Sequence, residues 1–163
     1  METAEKGFPP VAGQRASALI LGSWPSPKSR QQGFYYGHPQ NRFWPLLARL
    51  TEEPVPGTIP EKRELILHHG LALWDTLESC TITGASDASI QDPVPNDVAA
   101  LARRLGVKAV FCNGAAAWKF YQKFHRNAVG LDAVKLPSTS PANAAFNMDR
   151  LAREWAVLLP YLE

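Results

Sequence analysis

Short apolar runs alternate with amphipathic segments along the 163-residue chain. Runs of aliphatic residues that stop at Gly, Asp, Asn or Pro predict four buried strands, Ser17–Leu21, Leu71–Trp74, Val107–Cys112 and Ala133–Leu136. Apolar residues at helical spacing predict five helices, Asn41–Leu50, Pro60–His69, Pro95–Arg104, Ala115–Phe124 and Asn143–Leu159. This alternation predicts a three-layer α/β/α fold with a central, mostly parallel four-stranded sheet.

The length fits a single domain, which we place at residues 16–163 after a flexible N-terminal tail of residues 1–15. That tail lacks the apolar core of a signal peptide, and the longest apolar runs are too short to cross a bilayer. The formal net charge of +2 excludes a strongly basic arm but still permits a local nucleic-acid-binding patch. We expect a cytoplasmic monomer with no membrane partner, associated with the nucleoid if the source is bacterial or archaeal.

Several familiar reaction classes are disfavoured by the residue spacing. Cys80 and Cys112 lie far apart, outside any CxxC pair, and are predicted to be reduced, partly buried thiols. The four histidines lack metal-ligand spacing with acidic neighbours, so no metal site is predicted. The Gly spacing fits neither a P-loop nor a dinucleotide fingerprint, and GSWPS is not the elbow of a serine hydrolase.

Polar segments instead follow each predicted strand. They are GSWPS with YYGHPQN after the first strand, Asp75-Thr76 after the second, Asn113-Gly114 after the third and PSTSPANAAF after the last. Ligands of parallel sheets bind outside the carboxyl ends of the strands, so these segments should meet in one site. Amides, hydroxyls, one carboxylate and aromatic rings suit the recognition of a planar heterocycle such as a nucleobase.

Two of these segments are long and unusual in composition. YYGHPQNRFW spans residues 35–44 and PSTSPANA spans residues 137–144, and LWD and SC precede a GASDASI stretch. Together they resemble the hypoxanthine-DNA glycosylase branch of the uracil-DNA glycosylase superfamily, over about Ala18 to Trp155. The chain departs from many relatives at Ser26, where they have glycine, and at Pro137-Ser138, where other branches often have histidine.

The resemblance implies an enzyme that removes deaminated bases, hypoxanthine or uracil, from DNA without a metal or organic cofactor. It implies that Asn41 is catalytic. It places the base pocket at Gly22, Ser23, Trp24, Pro25, Tyr36, Asp75 and Asn113. It assigns contacts with the DNA backbone to Ser26, His38, Ser138, Thr139, Ser140 and Asn143.

Several of these residues also have a purely structural interpretation. Asn41 can cap the helix that follows it, and the hydroxyls of residues 138–140 can cap the last helix. Trp24, Tyr35 and Tyr36 can stack on a base or fill the core. His38 can be a solvated loop residue, and Asp75 a strand-end carboxylate.

Two further functions remain open from the sequence. The same edge could bind a nucleotide or nucleic acid in a non-catalytic module. A nucleoside hydrolase is disfavoured, because the chain lacks an aspartate cluster that could bind a metal.

Overall fold

The computed structural model describes residues 2–3, 7–24, 27–82 and 90–163. The strands are β1 (Glu2–Thr3), β2 (Ala18–Gly22), β3 (Leu71–Asp75), β4 (Leu77–Ile82), β5 (Gln91–Pro95), β6 (Ala109–Asn113) and β7 (Ala133–Leu136). The helices are α1 (Pro27–Gln32), α2 (Phe43–Thr51), α3 (Ile59–His68), α4 (Val98–Leu105), α5 (Ala115–Phe124), α6 (Arg126–Val129) and α7 (Met148–Trp155), and a 3-10 helix, Ala156–Tyr161, follows α7. Within the described residues, no helix is long and apolar enough to span a membrane.

The central sheet has four parallel strands in the order β3-β2-β6-β7. This confirms the predicted fold class and all four predicted strands. Gly22 of β2 is in register with Asp75 of β3, and Asn113 of β6 with Leu136 of β7. Because all four strands run in the same direction and are joined by crossover connections, their carboxyl ends lie at the same edge of the sheet.

Two hydrophobic cores lie on the two faces of the central sheet, and strand β2 contributes side chains to both, because successive side chains of a strand point to opposite faces. Ala18 and Ile20 pack with α2, α3 and α7, whereas Leu19 and Leu21 pack with α4 and α5. All five residues of β2 are buried, as expected for a parallel strand covered by helices on both faces. Cys112 lies in the second core, where burial raises the pKa of its thiol to about 12, so it is uncharged at neutral pH.

A second, antiparallel sheet of order β1-β4-β5 was not predicted from the sequence. Strand β5 has the sequence QDPVP, and proline normally argues against a strand because it cannot donate to the ladder. The irregular β4–β5 register accommodates these prolines at the edge of the sheet. The pattern of apolar residues carries no signal for such a short, exposed strand.

Three helices, α2, α4 and α7, begin later than predicted. Helix α4 begins at Val98 because Pro95 belongs to β5, and the shifts of α2 and α7 matter for the polar loops. Helix α2 begins at Phe43 rather than Asn41. Helix α7 begins at Met148 rather than Asn143, because the side chain of Asn147 accepts a hydrogen bond from the Arg150 amide and caps the helix there. Residues 137–147 are therefore a loop, which we call the 137–147 loop.

The prediction of a flexible tail over residues 1–15 is wrong for the part that begins at Gly7. The backbone of Val11 both donates to and accepts from Leu73, each bond 2.9 Å long, and the Val11 side chain is fully buried. The Phe8 carbonyl accepts a hydrogen bond from the Trp74 indole, and the Pro9 carbonyl accepts one from the Tyr35 hydroxyl. This segment has only one deeply buried apolar side chain, which is too little for a periodic pattern to reveal.

Val11 provides a test of this docking. Val11→Ala should lower the free energy of unfolding by about 2 kcal/mol, because it leaves a cavity against β3. The matched control is Val55→Ala, at a valine that is 60% exposed, which should change it by less than about 0.5 kcal/mol. Urea titration followed by circular dichroism measures both values, and equal small changes would mean that residues 7–15 do not dock in solution.

Candidate active site

The carboxyl edge of the central sheet gathers the predicted site residues. Gly22, Asp75 and Asn113 end their strands there, and the 137–147 loop leaves from Leu136. Residues 35–42, which we call the 35–42 loop, pack beside it through a bond between the Arg42 amide and the Thr139 carbonyl, 3.1 Å. Pro25 and Ser26 of the predicted site lie outside the described residues.

Asn41 is held by its side-chain oxygen. Oδ1 accepts the Phe43 amide at 2.9 Å and the Thr139 hydroxyl at 2.8 Å. Because both partners donate, the amide can take only one orientation, with Nδ2 pointing elsewhere. Nδ2 finds no acceptor among the described residues, so this donor is left for a ligand. The bond to Phe43 satisfies an amide of the first turn of α2, although Arg42 rather than Asn41 is the N-cap residue, so this contact is compatible with a functional role of Nδ2.

Thr139 and Asn113 form a reciprocal pair behind Asn41. Asn113 Nδ2 donates to the Thr139 hydroxyl, and the Thr139 amide donates to Asn113 Oδ1, both at 3.0 Å. Thr139 is only 1% exposed. Its side chain therefore faces Asn41 rather than the surface, which differs from the predicted contact with a phosphate. The sequence could not show this, because neighbouring loop residues have no fixed alternation of direction.

Arg42 is a site residue that the sequence interpretation missed. Its guanidinium donates to the carbonyls of Ser140 at 2.9 Å, Asn143 at 3.0 Å and Phe146. Arg42, the neighbour of Asn41 in the chain, thus binds three points of the 137–147 loop through one side chain. A signal was present, because a cation at the start of a helix is disfavoured by the helix dipole and needs another reason.

Gly22 allows two polar groups to approach the end of β2. An added Cβ would lie 2.6 Å from Asp75 Oδ1 and 3.0 Å from the Tyr36 hydroxyl. Both distances are shorter than ordinary contacts, so only glycine fits here. The predicted pocket residues Gly22, Tyr36 and Asp75 are therefore brought together.

Tyr36 has an unusual backbone for a tyrosine, with φ of 51°. Its ring stacks on Phe43 at a centroid distance of 4.2 Å, which fixes the hydroxyl over Gly22. A bulky residue in this region stores backbone strain of about 1–3 kcal/mol, and such strain clusters at functional sites. Tyr35 has a different role: its hydroxyl donates to the Pro9 carbonyl, and burial, then the charge of Asp75, raise its pKa.

Two other predicted pocket residues, Trp24 and Ser23, are also buried. Trp24 is 8% exposed and packs in a small core with Leu77, Cys80 and Phe120. The structure therefore favours the core interpretation of Trp24 over stacking on a base, because its apolar ring is covered. Ser23 is also 8% exposed, and its carbonyl accepts the Leu77 amide at the start of β4.

His38 forms the turn that precedes Asn41. Its carbonyl accepts the Asn41 amide at 2.9 Å, and its ring Nδ1 accepts the Gln40 amide at 3.0 Å. With Nδ1 an acceptor, the ring proton is on Nε2, and the partly exposed ring can donate there to an anion. This arrangement is compatible with the predicted backbone contact.

The other residues predicted to contact the DNA backbone form hydrogen bonds within the 137–147 loop. Ser138 Oγ accepts the Ser140 amide and Ser140 Oγ accepts the Ala142 amide, two successive turns closed by serine. Each hydroxyl can still donate its own proton, because it only accepts in these bonds. Asn143 Nδ2 donates to the Ser138 carbonyl and closes the loop on itself. A cavity of about 900 Å³ opens beside the loop, between Ala115, Lys135, Phe146 and Glu154.

The site offers polar groups rather than a metal centre. In the part of the chain that the structure describes, no group of three His, Cys, Asp or Glu side chains could hold a metal ion. The groups that converge are an amide donor at Asn41, a carboxylate at Asp75 and hydroxyls of tyrosine, threonine and serine. They can bind a planar polar ring at the strand ends and an anionic backbone at the loop.

Comparisons with known proteins identify the family of the chain. The family model of the uracil DNA glycosylase superfamily matches residues 9–159. The hypoxanthine DNA glycosylase of Methanosarcina acetivorans is 33% identical over 153 residues, 93% of this chain and 95% of that protein. The hypoxanthine DNA glycosylase of Methanosarcina barkeri is 33% identical over 141 residues, 85% of this chain and 88% of that protein.

A solved structure extends the similarity to three dimensions. The solution NMR structure of a Methanosarcina acetivorans protein superposes with a TM-score of 0.83 at 30% identity, covering 96% of this chain and 98% of that one. The matched region includes both polar loops and all four strands of the central sheet. The chain therefore belongs to the uracil DNA glycosylase superfamily.

Proposed function

We propose that the protein is a monofunctional DNA glycosylase that excises hypoxanthine or uracil from DNA and so initiates base excision repair. The observation that carries the proposal is the oriented amide of Asn41, whose donor is open at the same sheet edge as Asp75 and Tyr36. Membership of the superfamily and the similarity to two hypoxanthine DNA glycosylases support it.

The role of Asn41 follows from its two occupied bonds. An amide oxygen has two lone-pair sites, and both are used by Phe43 and Thr139, so this oxygen is poorly suited to take a proton from water. The open Nδ2 is a donor. A donor stabilises a group that gains negative charge, and in this reaction that group is the departing base. Water then adds its oxygen to C1′ of the sugar cation, and its proton goes to solvent or to the released base.

The carboxylate of Asp75 suits the recognition of a deaminated base. Deamination turns a ring nitrogen that accepts hydrogen bonds, N1 of adenine or N3 of cytosine, into an N–H donor. A carboxylate only accepts, so it attracts the donor of hypoxanthine or uracil and repels the lone pair of the parent base. Weak pairing of the deaminated base also lowers the cost of flipping it out of the helix.

The 137–147 loop, in this proposal, grips the DNA backbone through the hydroxyls of Ser138 and Ser140. His38 donates to a phosphate from the neighbouring turn, and the exposed Lys135 adds positive charge beside the loop. Thr139 and Asn143 act by shaping the site rather than by touching DNA with their side chains. The enzyme is expected to work in the cytoplasm as a monomer, with DNA as its partner.

The first test is excision itself. Duplexes that contain one deoxyinosine or deoxyuridine should acquire an abasic site, detected as a nick after alkali, and the rate should be unchanged by a chelator. The intact parent duplex and free inosine are the controls, and neither should react. Reversible loss of activity in the chelator would contradict the cofactor-free mechanism, whereas tight binding without nicking would favour the non-catalytic module.

Asn41 is tested by two substitutions. Asn41→Ala should lower the single-turnover rate by roughly 100- to 1,000-fold, the scale for one preorganised donor in an active site. Asn41→Asp keeps the acceptor for Phe43 and Thr139 but removes the donor, so it should remain well folded and still be slow. A helix cap alone predicts another pattern: loss of about 1 kcal/mol in Asn41→Ala, a normal rate, and no defect in Asn41→Asp.

Gly22 tests the close approach of Asp75 and Tyr36. Gly22→Ala should displace one or both groups and slow excision by roughly 10- to 100-fold, the scale for a misplacement of about 1 Å. The matched control is Gly13→Ala, where the nearest atom to the new Cβ is an ordinary contact at 3.9 Å. Excision rates are measured below the thermal unfolding midpoint of each variant. A normal excision rate in Gly22→Ala would show that Gly22, Asp75 and Tyr36 do not form the base pocket.

A further inference from the structure

We propose that Arg42 is a positioning residue, which clamps the 137–147 loop through three carbonyls and thereby holds Thr139 against the oxygen of Asn41. The proposal rests on the glycosylase function proposed above and adds a residue to it. It makes excision of the base depend on the same contacts that shape the surface for the DNA backbone. Arg42 itself does not touch the substrate in this proposal.

The geometry of arginine explains why this residue can act as a clamp. A guanidinium is planar, always charged, and carries five donors in a fixed arrangement. In this site it reaches carbonyls at Ser140, Asn143 and Phe146, which span seven residues of the loop. Among the described residues Arg42 has no ion pair, and its buried Nε has no acceptor, so loop carbonyls alone accept its hydrogen bonds.

The clamp connects to Asn41 along a short path. The Arg42 amide donates to the Thr139 carbonyl, and the Thr139 hydroxyl donates to Asn41 Oδ1. Arg42 and Asn41 are neighbours in the chain, so a movement of the loop relative to Arg42 is also a movement of Thr139 relative to Asn41. Without the bond from Thr139, the Asn41 amide would keep only the Phe43 donor and could rotate away from the base.

The clamp also sets the direction of two loop amides. The structure has no cis peptide bond among its described residues, and in a trans peptide the N–H points opposite to the carbonyl. The carbonyls of Asn143 and Phe146 face Arg42, so the N–H groups of Ala144 and Asn147 point away from it. Both of these residues are exposed, which makes their amides suitable donors to a phosphate.

The experiment compares three arginine variants. Arg42→Met removes the donors but keeps an apolar stem, and Arg42→Lys keeps the charge but supplies only a point donor. The matched control is Arg49→Met, which removes a nearby arginine of α2 whose contact is an exposed ion pair of 2.8 Å with Asp149 of α7. Single-turnover excision and affinity for a duplex with an abasic-site analogue are measured well below the unfolding midpoint of each variant.

Arg42→Met should slow excision by roughly 100-fold and weaken DNA binding, whereas Arg49→Met should stay within about threefold of the unaltered protein. Arg42→Lys should recover most of the affinity but less than about a tenth of the rate, because charge is restored and geometry is not. A normal rate in Arg42→Met would overturn the proposal. So would a full recovery of rate in Arg42→Lys, since charge alone would then be sufficient.

A double substitution tests the path through Thr139. Thr139→Val removes the hydroxyl at nearly constant volume and should also slow excision. If Arg42 acts through Thr139, the double variant should be no more than about threefold slower than Arg42→Met, because coupled residues are not additive. A double variant whose slowing equals the product of the slowing in Arg42→Met and in Thr139→Val would overturn the proposed path.

A measurement without substrate separates this proposal from the function on which it rests. The Thr139 amide donates to Asn113, so its hydrogen exchange should be slow and should become at least about tenfold faster in Arg42→Met but not in Arg49→Met. Unchanged exchange would overturn the clamp even in an active enzyme. If the unaltered protein excises no base but exchange accelerates as expected, the glycosylase proposal has failed and the clamp is supported.

Discussion

The complete burial of β2, which pairs with β3 and β6 in the middle of the sheet, determines how the other elements are arranged. A strand with every side chain buried must have its backbone paired on both sides and both of its faces covered. Alternate residues of β2 accordingly begin two cores, one under α2, α3 and α7 and the other under α4 and α5. The same parallel pairing forces the ends of β2, β3 and β6 to one edge, so the position of the site follows from the packing of the core.

At that edge, two long loops are joined by hydrogen bonds rather than by a core. Asn41, Asn113 and Thr139 satisfy one another, and Arg42 anchors the carbonyls of the second loop. Such a network is directional, so it can hold an amide in one orientation where apolar packing could not. In the proposed function, this network contains residues for both the contact with DNA and the chemistry, which suits an enzyme that reacts only with a base that is fully flipped into its pocket.

A glycine and a strained tyrosine together shape the predicted base pocket. The missing side chain of Gly22 lets Asp75 and Tyr36 approach the end of β2. Tyr36 reaches that point only with a left-handed backbone, which stacking on Phe43 helps to maintain. The core aromatic Phe43, itself fully buried, therefore links the stability of the first core to the shape of the pocket.

The α/β class, the four parallel strands and the polar residues at the strand ends could be predicted from the sequence, because strands and helices have short periods that a single segment can display. The same pattern placed Asp75 at the end of a strand, whereas the catalytic role predicted for Asn41 came from the family that the two unusual motifs indicated. Contacts between distant segments determine that Thr139 faces inward, that Trp24 belongs to a core and that Arg42 clamps the loop. These outcomes depend on contacts between residues about 100 positions apart, as between Arg42 and Asn143, and loop backbones have no period from which such contacts could be predicted.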